Sequence, residues 1–157
     1  MTVSLWRIAT DTPLWTAQDM AGKGAAHKGA RWNSAGEHVT YAATSISLAA
    51  WETRAHFGKG GMLPWNRYLV RLDVPDDLWN ARATLPRPPA VGWDAIPEGL
   101  VSRSAGSAWL RAGRTALLTV PSVIVVEEDN VLINPAHPGA RRVSATQVRR
   151  FVYDHRV

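Results

Sequence analysis

The chain of 157 residues contains no cysteine. Disulfides, thiolate nucleophiles, iron–sulfur clusters and cysteine-held zinc are therefore outside its chemistry. Its five histidines form no HExxH or HxxxH pair, so no catalytic metal is expected. No GxGxxG follows a strand pattern and no GxxxxGK[ST] occurs, which removes support for the Rossmann and P-loop modes of holding a nucleotide. Long apolar runs are missing as well. Met1 to Ala9 carries one arginine in a short mixed segment, without a basic stretch leading into an apolar one. A soluble, cytoplasmic protein without membrane contact is the expectation.

Apolar residues make up 46% of the chain and charged residues 20%, the balance of an ordinary globular protein. The length suits one domain over residues 1–157 with a core that needs no metal or disulfide. Eight tryptophans against three tyrosines and two phenylalanines point to a tryptophan-rich core and cleft, with Trp65 and Trp93 as candidates for a partner-facing surface. The formal charge of +5 favours an anionic partner: nucleic acid, a phosphorylated small molecule or an acidic protein. Arginines spread from Arg7 to Arg156 and concentrate at Arg141, Arg142, Arg149 and Arg150. They keep open one alternative, a basic nucleic-acid-binding module without catalysis. No lysine-rich tail, dense basic block or aromatic interleaving accompanies them, so direct nucleic-acid binding is not expected.

Val3 to Ile8 has the residue types of a strand, closed by Asp11-Thr12-Pro13, with Arg7 on or beside a sheet. The glycine-rich stretch from Gly22 to Gly36 shows no steady periodicity and reads as a loop around Arg31-Trp32-Asn33. His38 to Ala42 alternates as a short strand with Val39 and Tyr41 on one face. Thr44 or Ser45 can cap a helix from Ile46 that would place Leu48, Trp51 and Ala55 on one face, with Glu52 beside them and Gly58 as its end. Arg67 to Asp73 reads as a strand ending at Pro75, and the proline-rich stretch from Ala81 to Pro97 as a surface excursion. A helix over Ser104 to Arg111 would stop at Gly113. Ala116 to Val120 and Ser122 to Val126 read as core strands divided by Pro121, and Phe151-Val152-Tyr153 as a closing strand. Because the strands come in runs, the fold class is mixed α+β with an antiparallel or split sheet.

One constellation combines the elements of a chemical site: Arg31, Trp32 and Asn33 in the loop, Tyr41 on the next strand, and Glu52 on the next helix. It offers a guanidinium fork for a pyrophosphate or carboxylate, aromatic faces for a ring, and a carboxylate to stabilise a developing cation. Cleaving an N-glycosidic bond to a cationic nicotinamide needs those groups and no strong general acid. Each residue also has an ordinary role: a loop arginine at the surface, a tyrosine in a core, a glutamate in solvent.

The order GARWNSAGEHVTYAATSISLAAWETRAH resembles the first signature of the RES domain family, and VPSVIVVEEDNVLINPAHP resembles its later one. The resemblance runs from Trp6-Arg7-Ile8 to Phe151-Val152-Tyr153-Asp154-His155-Arg156. It implies an ADP-ribosyltransferase-like fold, α+β, with a split antiparallel β-sheet and flanking helices and with NAD as substrate in the cleft. Family members are toxins of bacterial toxin–antitoxin systems that deplete NAD by hydrolysis or phosphorolysis, or ADP-ribosylate a protein. Their partner is an Xre-type helix-turn-helix antitoxin that covers the cleft. On this implication Arg31 grips the phosphate or ribose, Tyr41 packs on nicotinamide, Glu52 supports glycosidic cleavage and Ser122 orients the nucleotide. Arg7, Trp32 and Asn33 line the same cleft.

Overall fold

The computed structural model describes residues 1–58 and 60–157. In order, the elements are β1 (Thr2–Ala9), α1 (Lys23–Lys28), β2 (Thr40–Ala43), α2 (Ile46–Arg54), β3 (Tyr68–Pro75), α3 (Asp76–Asn80), β4 (Ala83–Thr84), α4 (Leu100–Ala112), β5 (Leu117–Pro121), β6 (Asp129–Ile133) and β7 (Ser144–Arg150). The seven strands form a sheet in the order β4-β5-β6-β2-β1-β3-β7, antiparallel except where β4 lies parallel to β5. The α+β class expected above is the one observed.

The sheet is divided in its middle. β1 pairs with β3 along its length, from Thr2 opposite Pro75 to Ala9 opposite Tyr68. β2 pairs just as fully with β6, from Thr40 opposite Ile133 to Ala43 opposite Asn130. Between β1 and β2, however, the register holds only Trp6 opposite Ala43. From that hinge the two strands part, so that Arg7 to Thr10 and Val39 to Tyr41 become opposite walls of an opening instead of ladder partners.

Packing on the two faces keeps the halves together. One face carries Leu5, Val70, Leu72, Val131 and Ile133 over Ala17. The other is filled by Val39, Leu118, Val120, Leu132 and Trp32 beneath α4, and by Ile8, Ala43 and Leu69 beneath Leu48 of α2. A fully buried leucine such as Leu48 contributes about 1.5–3 kcal/mol by leaving water.

The helix at Ile46 begins as its sequence predicts, with the Ser45 hydroxyl accepting from the Leu48 amide at 3.0 Å. Its buried face differs from expectation. Leu48 and Ala49 are buried while Trp51 is 47% exposed. A face centred between Leu48 and Ala49 carries Glu52 inward one turn later and turns Trp51 out.

Other expectations are corrected. The loop from Gly22 to Gly36 contains the short helix α1, which has no buried residue and hence no apolar stripe to betray it. Ser122 to Val126 is not a strand. The chain leaves the sheet at Pro121, and the Ser122 hydroxyl accepts from the Ile124 and Val125 amides, closing a turn that leaves Ile124 and Val126 exposed. The closing strand is Ser144–Arg150, and Phe151 to Tyr153 follow it as irregular chain, with the Tyr153 hydroxyl donating to Thr53. The proline-rich excursion includes β4, and α4 begins at Leu100, four residues earlier than its sequence pattern indicates. No helix among the described residues is long and apolar enough to cross a membrane.

Candidate active site

Three groups of side chains gather around the parted strands. The first is built on the Arg31-Trp32-Asn33 loop. Asn33 is fully buried, and its amide donates to the carbonyls of Ala25, Ser34 and Glu37 at 3.0–3.1 Å. Its Oδ1 accepts from the Tyr41 hydroxyl at 2.7 Å, and that hydroxyl accepts in turn from the Trp32 amide at 3.1 Å. Tyr41 is thus fastened to the loop at both ends of its hydrogen-bonding capacity. Burial pushes its hydroxyl pKa upward, and the nearby Glu37 and Glu98 add to the shift, so it stays neutral.

Trp32 is buried and stacks on Trp93 with ring centroids 6.1 Å apart. Arg31 donates from Nη1 to the carbonyls of Trp93 and Ala95, both at 3.0 Å. The guanidinium therefore ties the proline-rich excursion down beside the loop. Behind the loop runs α4, at its closest point at Gly106. A Cβ there would lie 1.7 Å from the Trp32 carbonyl oxygen, so only glycine permits the contact.

The second group surrounds Glu52. Its Oε1 accepts from Ser122 Oγ at 2.7 Å and from Asn130 Nδ2 at 2.6 Å. Both bonds fall on one oxygen. Among the described residues Oε2 has no side-chain partner and remains able to accept from another hydroxyl. Asn130 stands opposite Ala43, and Tyr41 opposite Leu132, so Asn130 and Tyr41 are diagonal neighbours on one face of the β2–β6 pair. Such a diagonal separates backbones by roughly 7–8 Å. The carboxylate of α2 and the phenol of β2 are brought to the same face by this register.

The third group is Arg7 on the far wall. Its Nη2 donates to the carbonyls of Ala17 and Asp19 at 2.6 and 2.5 Å, while Nε is buried without a partner. Burial lowers its pKa to about 10, which leaves it cationic at neutral pH. Arg7 and Tyr41 line the opening between β1 and β2, a cavity of about 290 Å³ that Trp15, Gly22, Gly24 and Arg67 also border.

The structure thus brings Arg7, Trp32, Asn33, Tyr41 and Glu52 around the division of the sheet, with Arg31 at the loop's outer side. Ser122 is fully buried and contacts Glu52. No short-range pattern marks Asn130, Glu37 or Gly106 as part of the site. By composition the stretch from Glu127 to Pro138 reads as a turn through Asn130, but the structure makes Asp129–Ile133 a strand whose register turns Asn130 toward Glu52. Glu37 Oε2 accepts from the Ser34 amide at 3.0 Å and from Ser107 at 2.7 Å, joining the loop to α4.

A split sheet with these groups on its edges defines the class to which the chain belongs. Residues 4–154 match the RES domain, and the chain is a member of that family. Over its full length it is 53% identical to a protein of Sphingobium sp. (strain YBL2) named Prs ADP-ribosylating toxin, of which it covers 98%. It is 34% identical to Toxin Res of Pseudomonas putida (strain KT2440), with 98% of both chains aligned. The toxin–antitoxin complex MbcT–MbcA of M. tuberculosis contains a chain of similar fold, with a TM-score of 0.67 at 14% identity, covering 95% of this chain and 85% of that one.

Proposed function

We propose that this chain is the toxin of a bacterial toxin–antitoxin pair, and that it uses NAD as substrate and transfers ADP-ribose to a protein. Release of ADP-ribose to water or phosphate is the competing fate of the same first step. The observation that carries this reading is the Glu52 carboxylate, fixed through Oε1 by Ser122 and Asn130 with Oε2 left open, on the face that also bears Tyr41. The names of the relatives support the chemistry.

In this reading Glu52 Oε2 accepts from a ribose hydroxyl of NAD and stabilises the positive charge that grows on the ribose as the bond to nicotinamide lengthens. The electron pair of that bond goes to the nicotinamide nitrogen and neutralises the ring, so departure needs no general acid. A nucleophile of the acceptor then forms the new bond at the same ribose carbon and gives up its proton. Tyr41 packs on the nicotinamide side. Arg31 and Arg7 offer guanidinium donors to phosphate or ribose. Trp32, Asn33 and Ser122, all buried and internally bonded, act as positioning residues. No metal enters the scheme. The partner is an Xre-type helix-turn-helix antitoxin covering the cleft, and the first protein to test as acceptor is the Prs for which the Sphingobium relative is named.

The test follows NAD over time with purified protein, with and without phosphate, for the native chain and Glu52→Ala, reading nicotinamide and ribosyl products by chromatography. Labelled NAD with purified Prs forms a second arm. Nicotinamide release that requires Glu52 is expected, with label on Prs marking transfer. Neither nicotinamide release nor labelling in any arm would sink the reading.

A further inference from the structure

A cavity larger than the opening between β1 and β2 lies elsewhere on the molecule. It is bordered by Met20, Ala21, Glu37 and His38, with a volume of about 610 Å³. Met20, Leu110, Pro135 and Ala136 give it apolar walls, and Arg111 and Arg141 stand at it with exposed side chains. Its volume is within the range of small-molecule sites. The Asn134-Pro135-Ala136-His137-Pro138 run, which contributes two of these walls, has no part in the chemistry around Glu52.

The charges at this cavity are unequal. Arg111 and Arg141 have no ion pair or side-chain hydrogen bond among the described residues, in contrast to Arg142, which is held by Asp77 at 2.6 and 2.8 Å. The one carboxylate present, Glu37, is already engaged by the Ser34 amide and Ser107. His38 is committed through Nδ1 to the Ala21 carbonyl at 2.9 Å. What remains uncompensated is a pair of guanidinium groups above an apolar floor.

We propose that this cavity is a binding site for a small anion with an apolar body, an aryl or acyl phosphate or carboxylate. The body fills the space between Met20, Leu110 and Ala136, and the anionic head meets Arg111 and Arg141. The site is separate from the cleft but joined to it: Glu37 in its wall also accepts from Asn33 through its backbone carbonyl, and Asn33 accepts from Tyr41. Occupancy is therefore felt at the Arg31-Trp32-Asn33 loop. The proposal does not depend on the reaction assigned to Glu52.

The experiment titrates the ¹⁵N-labelled full chain with 1-naphthyl phosphate, followed by amide shifts, and repeats the titration with inorganic phosphate. Saturable shifts centred on Leu110, Ala136 and Ala140 are expected, with affinity lowered about tenfold or more in the Arg111→Ala/Arg141→Ala double variant. Ala136→Leu, a change at an exposed position that fills the cavity, should abolish them while the rest of the spectrum is preserved. The proposal is overturned by shifts centred on Arg7 and Tyr41 instead, by equal affinity in the double variant, or by inorganic phosphate binding as tightly as the aryl ester.

Discussion

Glu52 and Ser122 meet in a 2.7 Å hydrogen bond across a separation of 70 residues. The helix that carries the carboxylate and the turn that carries the hydroxyl share no local sequence signal, yet each orients the other. Ser122 is the hub: it donates to Glu52 while accepting from two amides of its own turn.

Ser122→Ala should leave Glu52 bonded to Asn130 alone and free to rotate. A hydrogen bond to a charged group is worth about 1.5–3 kcal/mol, so turnover is expected to fall about tenfold to a hundredfold. With Ser122 acting through Glu52, as proposed, kcat should fall more than KM rises. Asn130→Ala should behave alike. Steady-state kinetics of nicotinamide release decides, and an unchanged kcat in both variants would remove the positioning role.

Gly106→Ala places a methyl group against the Trp32 carbonyl oxygen, 1.7 Å away unless the backbone shifts. Overpacking of this kind costs about 1–3 kcal/mol. A lowered Tm is expected together with weakened activity, because the displaced segment is the one that holds Tyr41. Gly36→Ala, where nothing lies within 4 Å of the added carbon but φ is +87°, is the control that carries backbone strain without collision; its activity should persist.

Tyr41→Phe removes the hydroxyl that bridges Trp32 and Asn33 and leaves buried polar groups unpaired, at a cost of about 1–3 kcal/mol. The raised pKa also sets an alkaline signature. The unfolded tyrosine ionises near its ordinary value of about 10 while the folded one stays protonated, so its stabilising contribution is whole below that pH and is lost as pH climbs through and beyond it. Denaturant titrations above pH 10 should show a shallower loss of stability with pH in the phenylalanine variant than in the native chain.

Arg149→Glu/Arg150→Glu should leave NAD consumption unchanged. Both side chains are on the exposed strand β7, at the edge of the sheet away from Glu52. Arg150 does lie over Trp65 and donate to its carbonyl, so a small change in Tm is expected. If instead NAD consumption collapsed while salt-sensitive retention on DNA were lost with it, the basic surface would be part of the function.

The α+β class, the helix at Ile46 with its Ser45 cap, the strand before Pro75 and the residue types of the site are legible from the amino acids alone. These are written in short-range terms: a capping hydroxyl, alternation, a proline that ends a strand, and two motifs whose order carries the family resemblance. Local pattern misled at Ser122 to Val126, where β-branched residues mimic a strand but a serine turn takes the chain off the sheet. It misled at Trp51 too, because which face of a helix is buried depends on what it packs against. Only the three-dimensional packing places the split between β1 and β2, sets the diagonal of Tyr41 and Asn130, and brings Gly106 against Trp32. Each joins residues far apart in the chain, and long-range register and contact arise from packing that no window of neighbouring residues contains.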